Sequence, residues 1–234
     1  MNDAPTRQHP RPIRSFVLRQ GRITAGQQAA IEQLWPLYGI DPLQDFNPGA
    51  SFGRTAPLTL EIGFGNGESL AHMALAAPDQ DFLGIEVHRP GVGHLLLKVQ
   101  EFGLTNVRVC CADAVEFIRN HLPSQCLDRV QVFFPDPWHK KRHHKRRLIN
   151  SEFVAWVLDK LKPGGVLHCA TDWENYAEHM LEVLAASSSL RNQAGQNQYA
   201  ERPPSRSLTK FEQRGQRLGH GVWDLLFEKV AENL

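Results

Sequence analysis

Between residues 58 and 186 the chain alternates, five times, a short apolar run with a stretch of helical periodicity. The runs LTLEI (58–62), DFLGIE (81–86), NVRVC (106–110), DRVQVFF (128–134) and GVLHCATD (165–172) precede helical patterns over 68–77, 91–102, 114–121, 151–161 and 173–186. Strands separated by connections of that length do not pair as hairpins. They lie parallel, with the helices burying both faces of the sheet. The expected fold is α/β and doubly wound, with ligands held beyond the carboxyl ends of the strands. A helix over 27–38 and a Pro-, Gly- and Asn-containing connection over 41–57 come before this region, and WDLLFEKV (223–230) reads as a closing strand after a hairpin-like turn.

A chain of 234 residues, 41% of them hydrophobic, suffices for one α/β domain of this kind, expected over 26–234. Residues 1–25 carry Arg7, Arg11, Arg14 and Arg19 with little apolar material and read as a flexible Arg/Pro-rich arm. Neither an apolar leader nor a run of 18 apolar residues is visible, so a cytoplasmic protein without a membrane partner is expected. Cys110, Cys111, Cys126 and Cys169 have no CxxC spacing and read as reduced, structural thiols.

The segment Glu61-Ile62-Gly63-Phe64-Gly65-Asn66-Gly67 joins the first strand of the repeat to its helix. Gly63, Gly65 and Gly67 let the backbone turn tightly and press against a nucleotide-sized ligand. The third glycine comes one position earlier than in the dinucleotide fingerprint, whose helix-packing position is filled here by Glu68. Glu61 would repel a pyrophosphate but attract a cationic amino-acid moiety, which favours S-adenosyl-L-methionine over NAD. Glu86, ending the second strand, is placed to hold a ribose diol, and Asp113, after the third, to take an adenine amino group.

FFPDPWHKKRHHKRR (133–147) follows the fourth strand. Pro135 and Pro137 restrict the backbone on both sides of Asp136 and so fix its carboxylate. Six of the 26 Lys and Arg residues lie between Lys140 and Arg147; without them the net charge of +1 becomes −5. Charge concentrated in one place points to a polyanion, and Trp138 beside it to a stacked base. No Cys or Asp with ligand spacing accompanies the histidines, so no metal is expected.

With EIGFGNG, GIEVHRPGV, ADA, FFPDPWHKKRHHKRR, LHCATD and TKFEQRGQRLGHGVWDL in one order, the chain resembles the bacterial tRNA (guanine-N7-)-methyltransferases from about Ile13 to its carboxyl end. The resemblance implies a Rossmann-like, mostly parallel seven-stranded sheet with an antiparallel C-terminal strand. It implies methyl transfer from S-adenosyl-L-methionine to N7 of guanine 46 in the variable loop of tRNA. By motif, Glu61, Glu86, Asp113 and Asp136 are implied at the cofactor, with Asp136 also at the catalytic position. Lys140, Asp172, Thr209, Lys210, Phe211 and Glu212 are implied at the substrate, and Arg142, His143, His144, Lys145, Arg146 and Arg147 along the RNA. Trp138 and Phe211 are candidates to replace the stacking partners of a base drawn out of folded tRNA. His143 and His144 make part of the run's charge a matter of pH. A monomer is favoured over a homodimer. Amino-group methylation, NAD-dependent oxidation and RNA binding without catalysis are the rivals, separable by the modified nucleoside, the stabilising cofactor and methyl transfer.

Overall fold

Strand β2 (Leu58–Ile62) is buried at all five residues and sits in the middle of the sheet. The computed structural model describes residues 14–16, 21–206, 212 and 221–231. Helix α1 (Ala25–Tyr38) opens on a capping box, in which Gln27 N–H donates to Thr24 Oγ1 at 3.2 Å and Thr24 N–H to Gln27 Oε1 at 2.9 Å. Strand β1 (Gly39–Ile40) and helix α2 (Pro48–Phe52) lead to β2. The units β2–α3 (Glu68–Ala76), β3 (Asp81–Ile85)–α4 (Arg89–Phe102) and β4 (Val107–Cys110)–α5 (Ala114–Asn120) follow. Strand β5 (Leu127–Phe133), a 3₁₀ helix (Lys141–Arg146), α6 (Ser151–Lys160), β6 (Leu161–Thr171) and α7 (Glu174–Ala185) come next, and β7 (Leu190–Asn192) and β8 (Trp223–Lys229) close the sheet.

The strand order is β1-β4-β3-β2-β5-β6-β8-β7, with β1 to β6 parallel and β8 antiparallel to both β6 and β7. All five expected strand–helix units are present. Among the described residues the sheet has eight strands where seven are expected: β1 and β7, two and three residues long, are too short to show a period, and α2 is a single turn or so inside the expected connection. On one face α3 and α4 pack Leu70, Met73, Val92, Leu95 and Val99 against Phe82, Val107 and Val109, with Ala30 of α1 in the same cluster. On the other, α5, α6 and α7 pack Phe117, Phe153, Val157, Tyr176 and Met180 against Leu60, Val130, Leu167 and Leu225.

Helix α4 approaches the loop after β2 so closely that a Cβ built on Gly91 would overlap the carbonyl oxygen of Gly65. Backbone cannot yield there as a flexible side chain would. Gly91→Ala is therefore expected to destabilise the protein by about 2 kcal/mol, in the range of core overpacking. Chemical denaturation checks this; an unchanged midpoint would mean that the loop has room to move.

Candidate active site

The order of strands reverses between β2 and β5, so the loops leaving these two neighbours diverge and a cavity opens at their carboxyl ends. It has a volume of about 560 Å³, ample for a nucleoside-sized ligand. Gly63 and Gly65 after β2, Glu86 to His88 after β3, Asp113 after β4 and Phe134 to Asp136 after β5 line it, with Ser15 and Phe16 at the amino-terminal side. Among the described residues the lining thus holds three carboxylates and one imidazole, and no Lys or Arg.

Gly63, Gly65 and Gly67 all have positive φ, the conformation that the spacing of the loop anticipates. The Gly65 amide donates to Glu86 Oε2 at 2.9 Å, while Val87 and His88 donate to Glu86 Oε1 at 2.7 and 3.0 Å. Glu86 therefore ties the first loop to the second and is held in one orientation. Asp113 is the N-cap of α5 and accepts from Val115 N–H at 3.0 Å. Glu61 does not reach the cavity surface. It is 3% exposed, and its Oε2 has no hydrogen-bond partner among the described residues. Its carboxyl is pushed up from 4.5 to about 8, first by burial and then by the charge of Glu86.

Asp136 is exposed and projects from the loop Phe134–Trp138. That loop begins and ends with a non-glycine residue in the left-handed region, Phe134 at φ 52° and Trp138 at φ 51°. Such strain costs of order 1–3 kcal/mol per residue and persists where surrounding structure over-determines it. Here Phe134 N–H donates to Ala170 O at 2.8 Å, and Trp138 donates its indole N–H to Ser15 O at 3.0 Å. Asp172 is exposed at the end of the adjacent β6.

The basic run divides in two. Arg147 is buried: it donates to Pro137 O at 3.1 Å and to Asn175 Oδ1 at 2.8 Å, with its guanidinium over the Tyr176 ring. Arg146 lies 3.8 Å above the Trp138 ring and donates to the carbonyls of Arg14 and Phe16 at 3.0 and 3.3 Å. These two arginines, assigned to RNA by resemblance, are engaged in holding the loop together. Lys140, Lys141, Arg142 and Lys145 are exposed. The His143 imidazole is held below its ordinary value by lost hydration and then by Arg142, Arg146, Lys140 and Lys145, a shift that favours its neutral form. The run's exposed permanent charges are the lysines and Arg142.

Residues Thr209, Lys210 and Phe211 lie outside the described residues. Glu212 is described and is 1% exposed, with Arg206 Nη1 at 2.6 Å from its Oε1. Arg206, also 1% exposed, donates twice to Asp224, at 2.8 and 2.7 Å. His168 Nε2 lies 2.7 Å from the same carboxylate. Burial would raise Asp224, but the bonds from His168 and Arg206 hold it below its ordinary value. Burial holds His168 low, which favours the neutral ring, and the ionised Asp224 accepts a hydrogen bond from its Nε2–H. No local signal in the sequence marks this cluster: Arg206 is one arginine in an irregular Pro/Ser/Arg stretch, and only β8 pairing in register with β6 brings Asp224 to His168.

A family model described as "Putative methyltransferase" matches residues 55–225. A tRNA (guanine-N(7)-)-methyltransferase of Methylococcus capsulatus is 61% identical over 220 residues, covering 94% of this chain and 95% of that one. One of Alcanivorax borkumensis is 57% identical over 230 residues, covering 98% and 96%. Among solved structures, the 16S rRNA methyltransferase KamB superposes with a TM-score of 0.57 at 16% identity, covering 80% of this chain and 96% of that one, a likeness of fold.

Because Glu61 is raised, its contribution to stability is full below about pH 4.5, where it is neutral folded or unfolded, and is lost as pH rises toward about 8. Scanning calorimetry of the ligand-free protein is expected to show a Tm that falls over this window by more than in Glu61→Gln. Equal slopes in the two proteins would remove the buried carboxyl as the cause.

Proposed function

The chain belongs to the tRNA (guanine-N(7)-)-methyltransferase family, and from that membership we propose that it transfers a methyl group from S-adenosyl-L-methionine to N7 of guanine 46 in the variable loop of tRNA. The single observation that carries the cofactor assignment is the charge of the cavity: among the described residues its lining holds three carboxylates and no Lys or Arg. That donor set suits a cationic, hydroxyl-bearing ligand and opposes a pyrophosphate.

When bound, S-adenosyl-L-methionine supplies an electrophilic methyl group on a sulfonium. Glu86, fixed by three backbone amides, keeps a lone pair on Oε2 for a ribose hydroxyl, and Asp113 faces the cavity as an acceptor for an amino group. A cation near the glycine loop favours ionised Glu61, so ligand affinity rises with pH toward about 8. N7 of guanine carries a lone pair and no proton, so the attack needs position rather than a general base. Asp136, on a strained loop between two prolines, is held where its carboxylate accepts from guanine donors and offsets the positive charge that the ring acquires. Asp172, ending the neighbouring strand, shares that role. The exposed Lys140, Lys141, Arg142 and Lys145 follow Asp136 in the chain and bind the phosphates that deliver the base.

The test is methyl transfer to unmodified tRNA followed by nucleoside mapping: 7-methylguanosine at position 46 is expected, whereas an amino-methylated base or no transfer overturns the proposal. Asp136→Asn is expected to lower turnover by an order of magnitude or more with Tm unchanged; near-normal turnover would take Asp136 out of the mechanism. Four exposed cations predict a slope of log K against log salt of about −3 to −4 for tRNA. Replacing Lys141, Arg142 and Lys145 together with Gln should flatten it by about 2 to 3, and an unaltered slope would assign the phosphates elsewhere.

A further inference from the structure

A guanine drawn from folded tRNA loses its stacking partners, and the protein must offer a flat surface in exchange. Trp138 is poorly placed for this, since Arg146 covers its ring at 3.8 Å and Ser15 O holds its indole N–H. A different indole is open. Trp173 is 40% exposed and is the one aromatic among the exposed large hydrophobic side chains of the described residues.

Three features prepare Trp173 for a base. It follows Asp172 directly at the end of β6, the strand beside the one that ends at Asp136. Its backbone is immobilised: Trp173 N–H donates to Thr171 Oγ1 at 3.2 Å, and its carbonyl accepts from Tyr176 and Ala177 at 2.9 Å each as the N-cap of α7. Its ring is braced by His139, whose centroid lies 4.1 Å away at an interplanar angle of 71°. His139 immediately precedes Lys140, so the indole stands where the exposed cations begin. An aromatic face next to a carboxylate and a phosphate-binding stretch matches a purine nucleotide part by part: face, edge donors and backbone.

We propose that Trp173, braced by His139, is the stacking platform for the guanine that is methylated, with Asp172 accepting from that guanine's donor edge. This rests on the reading of the chain as a tRNA guanine methyltransferase. It makes Trp173 a substrate-binding residue outside the cofactor cavity, whose lining does not include it.

The experiment combines tRNA binding, followed by tryptophan fluorescence, with steady-state methylation. Trp173→Ala is expected to raise both Kd and KM for tRNA about tenfold, within the range of one base–aromatic stack. Affinity for S-adenosylhomocysteine should stay within about twofold. Trp173→Phe should retain tRNA affinity within about threefold while losing most of the tRNA-induced quenching seen in the wild type, whose remaining four tryptophans are unchanged. Unchanged Kd and KM in Trp173→Ala overturn the proposal. So does an equal loss in the Ala and Phe variants, or a matching fall in cofactor affinity, either of which marks Trp173 as structural. Wild-type protein that binds tRNA with quenching but leaves it unmethylated supports the stack and overturns the assigned reaction instead.

Discussion

The reversal of strand order between β2 and β5 is the constraint on which the rest of the molecule depends. Successive crossovers carry the chain outward from β2 through β3 and β4, then from β5 to β6 in the other direction, with helices on opposite faces. At the boundary no helix can cover the carboxyl ends of both strands. The loops that leave them, Gly63–Gly67 and Phe134–Trp138, therefore face each other across open space, and the side chains with ligand chemistry are gathered there. Gly91 lets α4 close on the first loop, and the two left-handed residues hold the second.

One region of the sheet is built on different terms. Arg129, Gln131, His168 and Asp224 lie on β5, β6 and β8, with Gln131 and His168 paired in register and Gln131 also opposite Glu61 of β2. Gln131, His168 and Asp224 are buried, as are Arg206 and Glu212, which meet this region through Asp224. A buried cation between two carboxylates seldom adds net stability over an apolar core, but removing any one member leaves uncompensated charge. The arrangement thus favours one placement of Arg206 and Glu212 against the sheet over all others. Glu212 belongs to the TKFE segment that resemblance assigns to the substrate, and its carboxylate is spent on Arg206.

The basic stretch shows how one run of like residues is divided by geometry. Arg146 and Arg147 turn inward to tie the 3₁₀ helix to residues 14–16, Pro137 and Asn175, and Arg's planar fork suits such multiple contacts. The lysines and Arg142 stay in water, free for a polyanion. The same inward turn occupies Trp138 and leaves Trp173, one strand away, as the accessible indole.

Much of this was legible in the order of residues. Run length and spacing determined the parallel strand–helix units, because short continuous apolar runs joined by long helical crossovers satisfy backbone hydrogen bonds and bury both faces of a sheet. The glycines of the first loop and the prolines around Asp136 likewise declared their turns, since their φ restrictions are local. The short edge strands β1 and β7 were silent, being too brief to carry a period. Which arginines point inward, which tryptophan stays exposed, that Glu61 is buried and Glu86 is tethered, and that Arg206, Glu212, Asp224 and His168 meet at all, were decided only by the tertiary structure. Those facts depend on contacts between residues far apart in the chain, and burial, which sets their charge and their partners, does not exist until the sheet has closed around them.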